Sequence, residues 1–143
     1  WERPRRLITV NVVTGTHLSQ LRSAGGRVFA AWLPERQTEA LIRRELETGK
    51  APAGVTSLDE ARALLAKVRE AGLAVVTDDD YFARGVEAAA APVFNFKNEI
   101  TMAIAIVGVE GSMDLASDGP TLTALRRTAD ELSRRLGATL GQE

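Results

Sequence analysis

Apolar positions along this chain follow two rhythms, and the switches between them outline its elements. In Leu7–Gly15 (LITVNVVTG) β-branched and polar residues alternate, which predicts a strand closed by a turn at Gly15. From Ser23 the pattern becomes helical and continues to Trp32. A second helix restarts at Pro34, a favoured first position, and stops at Gly49. APAGVT is a loop. Ser57 with Glu60 reads as a capping box opening a helix to Ala71, with Leu58, Ala61, Leu65 and Val68 on its buried face and Gly72 as its stop. Leu73–Asp80 reads as a strand running into an acidic turn. GVEAAAAPVFNF and EITMAIAIVGV are two further strand-like runs separated by Lys97-Asn98, which predicts a hairpin. Ala88–Ala91 alone would suit a helix, but Pro92 and the Val-Phe after it favour a strand, where small side chains let a neighbour pack close. The last helix is expected from Gly119 to Leu140, with Leu122, Leu125, Ala129, Leu132 and Leu136 along one face.

The order is strand, three helices, strand, hairpin, helix. It predicts an α+β domain, an antiparallel sheet with helices packed on it. The first strand has no partner adjacent in sequence, so it pairs with a distant strand or lacks strands that should precede it. No repeat or linker interrupts the chain, and 143 residues suit one domain, assigned to residues 1–143.

Composition narrows the function classes. With 45% hydrophobic and 26% charged residues the chain is globular, and with only 5% aromatic its core must be aliphatic and alanine. A net charge of −1 argues against a nucleic-acid surface. The arginines at 126, 127, 134 and 135 read as the solvated face of an amphipathic helix. Cysteine is absent, which fits a reducing compartment, here the cytoplasm. His17 is the single histidine, and no spacing of acidic residues suggests a metal site. No serine sits in a nucleophile-like setting and His17 has no recognisable partner, so an enzyme is not expected, nor is a cofactor. No apolar run approaches the ~20 residues that span a bilayer.

One stretch resists that plain reading. RSAGGRV places Gly25 and Gly26 in the first turn of a helix, where each glycine costs about 0.5–1 kcal/mol relative to alanine. Bare backbone there serves either close packing against the sheet or the approach of a ligand to the unpaired N–H groups of the helix end.

Four stretches together resemble the effector-binding domain of IclR-type bacterial transcriptional regulators. GTHLSQLRSAGGRVFAAWLP resembles that family's glycine, small residues, Gly-Lys and apolar helix ending in Leu-Pro, with Gly26-Arg27 standing for Gly-Lys. VREAGLAVVTDDD, GVEAAAAPVFNFKNEITMAIAIVGV and LSRRLG are similar to its later motifs, in the same order and spacing. The resemblance implies a GAF- or PAS-like curved antiparallel sheet with helices on both faces, cupping a small molecule. It also implies a winged helix-turn-helix and opening strands of the domain, none of which this sequence contains. DNA would be bound only through that N-terminal part.

Site residues follow from the resemblance position by position. The backbone around Ser23, Ala24 and Gly25 would receive the polar end of an effector, with Gly26 reserved for packing. Asp78 matches an acidic contact, and Val86 an apolar wall. Ala88 stands where relatives have cysteine, and Ala105 and Val107 where members sensing small keto acids have serine. Losing those polar groups removes hydrogen-bonded recognition and adds apolar surface. The expected effector is therefore a small, mostly apolar or aromatic carboxylic acid. Arg22 is open to pairing with an acid or to solvation, and His17 is placed on a surface or interface. The alternative to a sensor is an oligomerisation module without a ligand. In either case self-association as a homodimer or homotetramer is expected, since palindromic operators suit symmetric proteins.

Overall fold

The computed structural model describes residues 13–77 and 84–139. The expected opening strand, up to residue 12, and Asp78, Asp79 and Asp80 lie outside these. The described residues form α1 (Ala24–Trp32), α2 (Glu35–Glu47), α3 (Leu58–Ala71), β1 (Ala74–Val76), β2 (Val86–Phe94), β3 (Ile100–Val109) and α4 (Pro120–Arg135). The strands pair antiparallel in the order β1-β2-β3. The fold class is α+β, as the element order implies.

Local chemistry accounts for most boundaries. Ser57 accepts the Glu60 N–H at 3.2 Å while the Glu60 carboxylate accepts the Thr56 and Ser57 N–H groups at 2.6 and 3.1 Å, so the capping box is complete. Gly72, at φ +75°, ends α3 in the left-handed conformation. The β2–β3 hairpin turns at residues 95–99, with Asn98 at φ 58°. Pro34 is the residue before α2 rather than its first, a shift of one position.

Two expectations about α4 are corrected. The helix stops at Arg135, not Leu140, because Gly137 adopts φ +87°. Leu136 is consequently exposed, and Ser133 takes a place on the buried face instead. The Ser133 hydroxyl donates to the Ala129 carbonyl at 2.8 Å and accepts the Phe94 N–H at 3.0 Å, joining α4 to the end of β2. Arg126 is also more than a solvated residue. It is half-buried and donates to the carbonyls of Ser117 and Ala71, at 2.9 and 3.3 Å. Arg127, Arg134 and Arg135 are exposed, as read from sequence.

β2 is the hub of the domain. Every residue from Val86 to Val93 is buried, because helices cover both of its faces. Val86, Ala88 and Ala90 join a core with Leu21, Ala24 and Val28 at α1 and Ala61, Leu65 and Val68 of α3. Ala89, Ala91 and Val93 join a second core with Leu122, Leu125 and Ala129 of α4. The four alanines give both helices close access to the sheet. Glu87, also buried, accepts the Met113 N–H at 2.9 Å and fastens the segment after β3 over the α4 side. Gly108 makes room for that segment, since a Cβ there would lie 2.8 Å from the Ser112 Oγ.

Candidate functional site

The start of α1 is built by the turn before it. Ser23 is the N-cap, in extended conformation, and its hydroxyl accepts the Gly26 N–H at 3.0 Å. The same hydroxyl donates to the Ser19 carbonyl at 2.6 Å. Its one proton is thus committed to the Ser19 carbonyl and a lone pair to the cap. At the positive end of the helix, the N–H groups of Ala24 and Gly25 have no partner among the described residues.

The two glycines have different roles. A Cβ at Gly26 would sit 1.9 Å from the Ser19 carbonyl oxygen, so this glycine is required by the turn that α1 grows from. That corrects the expected partner of its packing, which is the preceding turn rather than the sheet. A Cβ at Gly25 would meet only the Leu18 Cδ1 at 3.7 Å, ordinary contact. Ala24 has its side chain in the core, at 2% exposure, so only its backbone is offered outward.

The expected apolar wall splits into a buried and an open half. Val86 and Ala88 on β2 are buried, whereas Ala105 and Val107 on β3 are exposed, Val107 by 45%. Register unites them nevertheless. Ala88 lies opposite Val107, Ala90 opposite Ala105 and Val86 opposite Val109. Directly paired residues share a face, and Val86 and Ala88 lie in the core built around α1. All four positions therefore lie on the α1 side of the sheet. Asp78 falls outside the described residues.

Three polar side chains that shape this region escaped the sequence reading. Glu45, on α2, accepts the Gln20 and Leu21 N–H groups at 2.6 and 3.1 Å and the Ser19 hydroxyl at 2.8 Å. Ser19 also accepts the Arg22 N–H at 2.9 Å. Arg27, at 4% exposure, donates from Nε to the Leu21 carbonyl at 2.6 Å and from Nη1 to the Val75 carbonyl at 3.3 Å. The residue standing for the lysine of Gly-Lys is therefore a brace between the turn and β1. No local motif announces these contacts; the nearest signal is Ser19 lying four residues before Ser23.

Two clefts lie away from the wall. One, of about 390 Å³, is lined by residues including His17, Leu18, Phe29, Thr38 and Leu41, and His17 is exposed at its rim. The other, of about 230 Å³, lies among Trp32, Pro92, Phe94, Arg126 and Asp130. Among the described residues no group of His, Asp and Glu is placed to hold a metal ion, and no helix is long and apolar enough to cross a membrane.

Comparison with known proteins assigns the domain. The family described as "Bacterial transcriptional regulator IclR C-terminal" matches residues 2–134, and the chain belongs to it. The family is one of transcriptional regulators, not enzymes. The chain is 34% identical over 101 residues to the uncharacterised HTH-type transcriptional regulator RhmR of Escherichia coli, covering 71% of this chain and 38% of that protein. It is 29% identical over 123 residues to the HTH-type regulator XynR of the same organism, covering 86% of this chain and 48% of that one. The crystal structure of Pseudomonas aeruginosa HmgR superimposes with a TM-score of 0.77 at 32% identity, over 97% of this chain and 54% of that one. The Thermotoga maritima IclR structure, at 22% identity, shares the fold with a TM-score of 0.74 over 94% of this chain and 53% of that one. The chain thus spans about half, or less, of the length of each of these relatives.

Proposed function

We propose that this domain senses a small, mostly apolar carboxylic acid and passes its occupancy to a DNA-binding part of the same regulator. The single observation that carries the reading is the start of α1. Two N–H groups at its positive end, on Ala24 and Gly25, have no partner among the described residues, and Gly25 is a glycine that those residues do not require. A carboxylate suits that position. The hydrocarbon body then runs along the sheet face of Val86, Ala88, Ala105 and Val107, whose side chains offer no hydrogen bond. Ser23 contributes its backbone and the cap rather than a free hydroxyl. Asp78, an acidic contact by the family resemblance, lies outside the described residues and carries none of this reading.

The regulator is read as a cytoplasmic homodimer or homotetramer that binds DNA through its N-terminal part, residues 1–143 belonging to its effector domain. Thermal shift and calorimetry with benzoate and with pyruvate test the reading. Benzoate raises the melting temperature and pyruvate does not. Gly25→Val abolishes benzoate binding while the fold survives, and Val107→Ser weakens it by on the order of 1 kcal/mol through a poorly satisfied hydroxyl. Affinity unchanged by Gly25→Val would remove the helix-end site. A domain that takes up no acid and self-associates regardless would be an oligomerisation module.

A further inference from the structure

We infer that Glu45 is the positioning residue of the α1 helix start and the link through which that start and α2 move together; the second part rests on the sensing reading above. The carboxylate reaches across 24 to 26 residues of sequence to three donors in one turn, the Ser19 hydroxyl and the Gln20 and Leu21 N–H groups. Such charge-assisted bonds are stronger than neutral ones. The chain of contact then continues without a break. Ser19 offers its carbonyl to the Ser23 hydroxyl, and that hydroxyl caps α1 at Gly26. The same carbonyl lies where a Cβ of residue 26 would be, so the turn cannot shift without moving the first turn of α1.

At the other end, α2 is lightly anchored. Only Thr38 and Ile42 of its residues are buried, and Leu41 is 50% exposed. Apolar burial holds this helix weakly in comparison with α4, which buries Leu122, Leu125 and Ala129. A side chain that ties a lightly held helix to the cap of another transmits displacement in both directions. An acid drawn onto the N–H groups of Ala24 and Gly25 would tighten the cap, the turn and, through Glu45, the C-terminal half of α2.

Amide hydrogen exchange by NMR on the full chain tests this without needing a ligand. Glu45→Ala should speed exchange at Gln20, Leu21 and Gly26 by roughly ten-fold or more, as the loss of a hydrogen bond of about 1.4 kcal/mol implies. Glu45→Gln, which keeps one acceptor oxygen, should fall between Glu45→Ala and the parent. Glu47→Ala, an exposed change on the same helix, should match the parent. Acceleration confined to residues 19–27 and α2 supports the inference. No acceleration there, or equal acceleration throughout α4, overturns it. In a second arm, benzoate should protect Gly26 and the residues around Glu45 together in the parent but not in Glu45→Ala. If the parent takes up no benzoate, the sensing reading and the link to ligand fail, while the exchange result still decides whether Glu45 positions α1. If benzoate protects Gly26 equally in both, the linkage through Glu45 fails and the sensing reading stands.

Discussion

The two faces of the β2–β3 ribbon are made from similar residues and treated differently. On the α4 side, Ala89, Ala91 and Val93 of β2 are buried, and Ile104 and Ile106 of β3 pack against the same cluster. The segment held by Glu87 and Met113 covers the end of that face. On the α1 side the β2 residues are buried and Ala103 of β3 packs half-buried against the same core, while Ala105, Val107 and Val109, further along β3, are exposed. One face is spent on stability. The other keeps small apolar side chains in the open, where burying them in the fold has been forgone. An exposed apolar surface on the side of the sheet that α1 covers is what the proposed ligand, with its apolar body, would need.

The comparison can be broken or sharpened by substitution. The largest effect belongs to Gly26→Ala. Its Cβ would lie 1.9 Å from a backbone oxygen, so α1 cannot seat on the turn as it does now. A loss of about 3 kcal/mol or more in urea unfolding is expected. A near-neutral result would show that α1 reseats freely on its face.

Leu122→Ala comes next. The residue is 1% exposed in the α4 core, and its truncation should cost about 3 kcal/mol by the same measurement. Ser57→Ala removes half of the capping box of α3, whose buried residues join the core on the α1 side, and should cost about 1 kcal/mol. Its reciprocal half responds to acid. The backbone N–H of Thr56, and then its hydroxyl, hold the Glu60 carboxyl below the ordinary glutamate value. The folded value is the lower one, so the contribution is complete above the unfolded glutamate range and fades as pH falls through the folded value. Urea midpoints of the parent and Glu60→Gln should therefore differ at pH 7 and converge toward pH 3. A gap that persists or widens in acid would contradict the assignment.

The smallest change is Val107→Ala. On the open face it should alter stability by less than about 0.5 kcal/mol. A loss matching that of Leu122→Ala would erase the distinction between the faces.

Much of this was legible in the sequence because the decisive signals are local. The Ser57–Glu60 pair and Gly72 delimit α3, and the alternation of a hairpin puts Val86, Ala88, Ala105 and Val107 on one face once the register is close. The end of α4 was misread because the leucine period continues to Leu136, while Gly137 adopts a left-handed conformation and Ser133 finds a backbone donor in β2. A serine on an apolar face has no signature until its partner strand is known. Glu45 was illegible for the same reason. On α2 it looks like one more solvated charge, and its donors lie a whole helix earlier. Gly25 and Gly26 form one motif in sequence, and only the position of the Ser19 carbonyl separates their roles.

The alanines of β2 carry one more implication. An alanine has no side-chain torsion to rotate, so a strand of four buried alanines cannot absorb a shift of α1 by changing rotamers. At interior packing density there is no slack on the opposite side either. A displacement imposed on one side of this thin layer finds no rotamer to turn within the alanines, so any adjustment falls to the β2 backbone or to the larger side chains that face it, Leu21 and Val28 on one side and Leu122 and Leu125 on the other.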